Sequence, residues 1–331
     1  MAVSIKDIQK LREMTGAGLA DCKKALEESN GEIEPAIEII RKKGQAVAAK
    51  RSDREASEGC VLVKKDGKFA AIIALKCETD FVANNADFVK LTQDILDAAV
   101  AAQCKTLDEV KALPLADSTV QEAVVARSGI TGEKMELDGY SVIEGEEIAT
   151  YDHQSKHTLC TMVALNKQVE DATVGKNVAM QVASANPVAV DQSNVAQEVI
   201  DSELRVAVEK TKEEQIAKAV EAAIRKAGVN PAHVDSEDHI ESNMAKGWIT
   251  PEQAAMVREI KEKVAAEKAA NLPEQMIQNI AQGRLKKFFK ENCLLEQEFI
   301  WDKNMTVAQY LQSIDKALTV TAFKRFTLRA E

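Results

Sequence analysis

Aromatic residues are scarce in this chain, 4% of 331, so a base-stacking platform for single-stranded nucleic acid has little to be built from. An excess of basic charge is missing as well. Lys and Arg number 43 against 53 Asp and Glu, a net charge of −10. A nonspecific grip on a phosphate backbone needs a cationic face, so nucleic acid is not an expected partner; the acidic balance suits solubility and a protein partner. No apolar run is long enough to span a membrane, and Lys6, Asp7 and Lys10 interrupt the N-terminus too early for a secretory signal. Six cysteines lie at positions 22, 60, 77, 104, 160 and 293 with no Cys-x-x-Cys pair. That spacing argues against a zinc ribbon or a redox motif and fits free thiols in a reducing cytoplasm.

The motifs of catalysis are missing too. Neither Gly-x-Gly-x-x-Gly nor Gly-x-Ser-x-Gly occurs. Gly129-Ile-Thr-Gly132-Glu-Lys134 holds two glycines and a lysine, but its spacing cannot cradle a phosphate and it reads as a turn. His153 and His157 stand four apart near Cys160, a spacing that can seat a metal on a helix. Their flanks read as strand-turn-strand, so the two rings would not share a helical face and no metal site is expected. Carboxylates fall mostly on predicted helix faces as solvated charge. The expectation is a protein that is not an enzyme and carries no cofactor.

What is present is a long chain of mixed pattern, enough for two or three domains. Ser4 can cap a helix through Met14, with Ile5, Ile8 and Leu11 at helical spacing; Thr15-Gly-Ala-Gly breaks it. A second helix takes Leu19, Cys22 and Leu26 and stops at Asn30-Gly31. A third begins near Ile33 with Pro35 in its first turn. From about Gly59 the period changes. Val61-Leu-Val and Phe69 to Cys77 flank Lys65-Asp66-Gly67-Lys68, a hairpin turn centred on Asp-Gly. Gly145 to Tyr151 and Thr158 to Leu165 predict a second hairpin, followed by a helix over Val174 to Ala185. Strand, short polar stretch and helix therefore recur, a weak internal repeat. Beyond Asn194 the pattern is helical. Val195, Val199, Leu204, Val208, Ile216, Val220 and Ile224 form a long stripe stopped at Gly228, and Thr250-Pro-Glu-Gln253 opens a further helix as a capping box. Two long amphipathic helices here predict an antiparallel, coiled-coil-like hairpin. Glu298-Phe-Ile-Trp301 and Thr319 to Leu328 return to strand patterns around a helix at Val307 to Ile314.

The most informative stretch is Cys77-Glu-Thr-Asp-Phe-Val-Ala-Asn84, between an apolar strand and a helix that starts near Asn85. Thr79 or Asp80 can cap a helical turn there, and loops at strand ends are where function concentrates. Phe81 reads either as a core anchor folded under the sheet or as an exposed contact. The second copy of the repeat carries Lys167-Gln-Val-Glu-Asp-Ala-Thr instead, so the architecture itself does not require the aromatic.

Leu11-Arg-Glu-Met-Thr-Gly-Ala-Gly-Leu-Ala-Asp-Cys-Lys-Lys-Ala-Leu26, with Asn30-Gly31 and Ile37 after it, strongly resembles the opening of the bacterial translation elongation factor Ts family. Thr79 to Asn84 does so too, in the expected order and at the expected separation. The likeness continues through Leu96-Asp-Ala-Ala-Val100, Gly139 to Thr150, Ala183-Ser-Ala-Asn-Pro187 and Gly283-Arg-Leu-Lys-Lys-Phe288. The resemblance implies an α+β fold. Its parts would be a UBA-like three-helix bundle at 1–45, a linker at 46–58, and two related α+β core subdomains. The first subdomain would cover 59–139, and the second 140–193 with 293–331. A helical hairpin at 194–292, of a dimerisation type, would be inserted in the second.

It also implies guanine-nucleotide exchange on elongation factor Tu, through that partner's GTPase domain and a further domain. Thr79, Asp80, Phe81 and Val82 would form the contact turn; Phe81 would wedge between helices of the GTPase domain, with loss of Mg2+ from its nucleotide site. Asp80 would either cap the turn or pair with a partner donor. Lys23 matches a further contact position, and Gly129, His153, Ile300 and Trp301 match others. A cytoplasmic location follows. The helical segment after Asp191 is longer than the resemblance leads one to expect, which means either an extended hairpin or an added contact or homodimer surface. The chain stops at Arg329-Ala-Glu331, where some members place a C-terminal helix against their partner.

Overall fold

The computed structural model describes residues 3–328; Arg329 to Glu331, where the absence of a C-terminal helix is expected, lie outside them. Asp191–Glu296 forms one unit, and the chain before and after it forms the other.

In the first unit, α1 (Ile5–Thr15) starts where Ser4 Oγ accepts the Asp7 N–H at 3.1 Å. It ends at Gly16, whose φ of 69° supplies the left-handed cap. Following are α2 (Leu19–Glu28) and α3 (Ile33–Lys50). Leu11, Cys22, Leu26 and Ala36 are buried between the three helices. α3 runs past residue 45, so the first five residues of the expected linker are helical.

β1 (Glu58–Asp66) and β2 (Phe69–Cys77) pair antiparallel with Asp66 opposite Phe69. The two-residue turn is thus Gly67-Lys68 rather than Asp66-Gly67. Gly67, at φ 55°, takes the first central position, which type II′ hairpin turns reserve for glycine. After β2 come a single turn, α4 (Asp80–Ala83), and α5 (Ala86–Ala101), the latter capped by Asn85. α6 (Leu107–Ala112) leads through a small ladder of β3 (Pro114–Leu115) and β4 (Ser118–Thr119) to α7 (Val120–Thr131). β5 (Met135–Glu144) completes a sheet of order β1-β2-β5. A second hairpin follows, β6 (Glu147–Asp152) and β7 (Leu159–Leu165), and then α8 (Ala172–Ala185).

The second unit is helical: α9 (Gln197–Lys226), α10 (Glu237–Ala245), α11 (Pro251–Ala270) and α12 (Glu274–Asn292). Thr250 and Gln253 form the capping box that opens α11. Ile224 of α9 is buried with Val257 and Ala254 of α11. About three turns before the end of α9, Glu214 meets Arg284 of α12 at 2.6 Å. One long helix thus runs alongside two shorter ones separated at Asn271 to Pro273, where Pro273 cannot continue α11. Within the stripe expected for α9, Ile224 is buried and Val199 is exposed; Ala207 and Thr211 are the other buried positions of the helix.

Back in the first unit, β8 (Glu298–Phe299), β9 (Asp302–Thr306) and α13 (Val307–Ile314) precede β10 (Val320–Thr327), which joins a sheet of order β10-β7-β6. Cys60, Ile73 and Leu75 face Phe88, Ile95 and Leu96 of α5. Val61, Ile72 and Ala74 instead face Cys160, Met162 and Ala164 of the second sheet. β2 is therefore covered on both sides, which is why Phe69 to Cys77 reads as an unbroken apolar run rather than an alternating one.

Candidate functional site

α4 is one turn long, and such a turn is unstable by itself because nucleation outweighs its few hydrogen bonds. Anchors beneath and before it hold it. Ala83 is buried and Val82 packs partly buried against the β1-β2 core. Thr79, not Asp80, is the N-cap: its Oγ1 accepts the Val82 N–H at 3.4 Å. Asn84 Nδ2 donates to the Asp80 carbonyl at 2.8 Å and closes the C-terminal end. With Val82 and Ala83 turned inward, Asp80 and Phe81 face out, and Phe81 is 85% exposed. The exposed alternative for Phe81 is thus the one the fold adopts.

Glu133, just past the Gly132 cap of α7, reaches the same place. Its Oε2 accepts the N–H groups of Glu78 and Thr79 at 3.2 and 3.1 Å, and its Oε1 accepts the Thr79 hydroxyl at 2.7 Å. Glu78 reaches the other way, accepting the Lys134 N–H at 2.5 Å and guanidinium donors of Arg51 and Arg54 at 2.9 Å each. Burial pushes the Glu78 carboxyl up, but the Lys134 N–H and then Arg51 and Arg54 outweigh it and bring it down to about 2.

The other expected residues lie on separate elements. Lys23 sits exposed on α2, ion-paired with Glu27 at 3.7 Å. Gly129 is not in a turn: it lies inside α7 where that helix crosses α3, and a Cβ there would meet the Gly44 Cα at 2.3 Å. The turn comes at Gly132, with φ 72°. His153 follows β6, its Nδ1 3.1 Å from the Tyr151 hydroxyl, while His157 Nδ1 bonds Asp152 at 2.5 Å. The two imidazoles thus have different partners, and among the described residues no cluster of three or more His, Cys, Asp or Glu could hold a metal.

Ile300 and Trp301 were expected in a strand; they form instead the turn between β8 and β9, 36% and 59% exposed. Gln181, buried in α8, holds that turn. Its Oε1 accepts the Ile300 N–H at 2.9 Å, and its Nε2 donates to Gln297 Oε1 and the Glu298 carbonyl at 3.1 and 3.2 Å. Sequence reasoning missed Gln181, Glu133 and Glu78. A glutamine on the apolar face of a predicted helix was the available signal for the first; for the two glutamates there was none.

The six cysteines are buried and free of disulfides. Burial pushes the Cys60 and Cys77 thiols up to about 12 and that of Cys293 to about 11, so none of these three offers a ready thiolate. The turn thus carries its aromatic outward on a backbone tied down by Thr79, Glu133 and Asn84.

The family model described as elongation factor TS matches residues 78–330. Proteins called elongation factor Ts from Bacteroides fragilis and Phocaeicola vulgatus are 67% and 66% identical over 331 residues, covering all of both chains. One of that name from Porphyromonas gingivalis is 46% identical over 333 residues, again at full coverage. The chain belongs to the elongation factor Ts family. No helix among the described residues is long and apolar enough to cross a membrane.

Proposed function

We propose that the protein is a guanine-nucleotide exchange factor that binds elongation factor Tu·GDP, promotes release of GDP and Mg2+, and lets GTP rebind during translation elongation. Family membership supports the partner, and the observation that carries the mechanism is Phe81, 85% exposed on a clamped turn. A desolvated aromatic is a typical interface anchor. The energetics are linkage: a factor that prefers the nucleotide-free GTPase weakens GDP binding by the same ratio. No covalent step is needed, so the protein works as a binding partner and not as an enzyme, without a cofactor, in the cytoplasm.

Thr79, Asp80, Phe81 and Val82 form the contact turn against the GTPase domain. Thr79 holds the turn, which leaves Asp80 free for a partner donor. Lys23, His153, Ile300 and Trp301 supply further contacts, some to a second domain of elongation factor Tu, while Gly129 acts by letting α3 and α7 approach. In this reading α1 to α3 are a UBA-like module, the two hairpin-plus-helix units are the related core subdomains, and α9 with α11 and α12 is an extended, coiled-coil-like hairpin open to homodimer formation. Light scattering of a 194–292 deletion tests the last point: an unchanged molar ratio of subunits removes the hairpin from any dimer.

The test of the function is release of a fluorescent GDP analogue from the same organism's elongation factor Tu. Acceleration by the wild type and little by a folded Phe81→Ala variant is expected. Acceleration by both moves the mechanism to other contacts, and none by either reduces the protein to a scaffold.

A further inference from the structure

The support beneath Phe81 is crossed. Glu133, from the α7–β5 connection, gives its carboxylate to the Glu78 and Thr79 N–H groups and the Thr79 hydroxyl. Glu78, from the end of β2, gives its own to the Lys134 N–H, one residue beyond Glu133. Each segment thus caps the other's backbone. Glu133 is itself pinned: the Ser128 hydroxyl donates to its carbonyl at 2.5 Å, and its N–H donates to Thr131 Oγ1 at 3.3 Å. The residues gripped are those that set where α4 begins, and hence where Phe81 points. Remove the Glu133 carboxylate, and two backbone donors and the cap hydroxyl lose a common acceptor. Val82 and Ala83 still anchor the turn from below. The expected consequence is a turn that is present but loosely aimed.

We infer that Glu133 is a positioning residue for exchange: it sets the direction of Phe81 without touching the partner. This rests on the exchange reading. A mere packing role predicts loss of folded protein, whereas positioning predicts slower exchange by folded protein.

The test compares Glu133→Ala and Glu133→Gln in the full chain, each alone and with Phe81→Leu, which keeps an apolar side chain at the tip of the turn. Release of a fluorescent GDP analogue is followed across factor concentrations, beside thermal melts. Glu133→Ala should lower the maximal release rate about tenfold, less than its three lost charge-assisted hydrogen bonds would give together, because Val82 and Ala83 still anchor the turn. The half-saturating concentration should move by less than about threefold. Glu133→Gln should fall between Ala and wild type, since its one carbonyl oxygen can still serve a backbone N–H. With Phe81→Leu the loss should be smaller than in the wild-type background, because both changes act on one contact. Additive losses, an unchanged rate, or a rate loss that simply follows the unfolded fraction in both variants would each overturn the inference. If the wild type itself fails to accelerate release, the exchange reading falls and the inference with it; acceleration by the wild type with Glu133→Ala its equal removes the inference alone.

Discussion

Phe81 and Phe88 are the same residue type seven positions apart, and replacing each by Ala should produce opposite phenotypes. Phe81 is 85% exposed and Phe88 is fully buried against the β1-β2 core. For Phe88→Ala, lost transfer energy and the cavity together should cost about 3–5 kcal/mol of stability. Phe81→Ala leaves no cavity, and its stability should stay within about 0.5 kcal/mol of wild type. The cost moves to the partner. An aromatic side chain covered by a partner removes roughly 150–200 Å2 from water, about 4 kcal/mol at about 25 cal/mol per Å2. Ala retains part of that area, so the loss to be read is about 2–3 kcal/mol, roughly 30- to 150-fold in exchange efficiency. Urea unfolding and GDP-analogue release on the same preparations provide the two readouts. A Phe81→Ala variant that is as destabilised as Phe88→Ala, or one that is folded and exchanges like wild type, would refute the reasoning.

Acid should act through Glu78. Its folded pKa of about 2 lies below the ordinary value of 4.5, so its contribution is full above about pH 4.5 and lost as pH falls toward about 2. Allowing for the exposed Arg54, that contribution is about 2 kcal/mol; the stability gap between wild type and Glu78→Gln should shrink between about pH 5 and about pH 3 in urea melts. Gly129→Ala should lower stability by about 1–3 kcal/mol, because its Cβ would meet backbone rather than a flexible side-chain end; a melting temperature equal to wild type would show that α3 and α7 can part at no cost. Gln181→Ala orphans the Ile300 N–H and should cost about 1–3 kcal/mol. It should also speed proteolysis of the β8–β9 turn, and unchanged cleavage there would show that Gln181 does not hold it.

Where a feature depends on neighbours along the chain, the residues foretold it. Ser4, Asn85 and Thr250 cap the helices they precede, and α13 spans Val307–Ile314 as its pattern indicates. α7 carries no one-sided stripe in the sequence because both its sides are covered: Val120 and Val124 belong to the β1-β2 core while Gly129 meets Gly44 of α3. An element buried on two sides loses the one-sided stripe by which a surface helix is recognised. The β8–β9 turn patterns as strand for a related reason, since Ile300 and Trp301 are apolar yet exposed, with the Ile300 N–H bonded by Gln181 from α8.

The sequence by itself determined the family, the α+β composition and the place of the Thr79-Asp80-Phe81-Val82 turn, because motif order, period and capping are properties of adjacent residues. Only the tertiary structure decided that Phe81 faces solvent, that Thr79 is the cap, and that Glu133 and Glu78 grip each other's backbone. The Glu133 side chain meets Glu78 and Thr79 across 55 and 54 positions of chain, a separation at which no local pattern records which groups will meet. The fold brings them together by pairing β2 with β5, Cys77 opposite Met135, while the inward packing of Val82 and Ala83 leaves Phe81 outside.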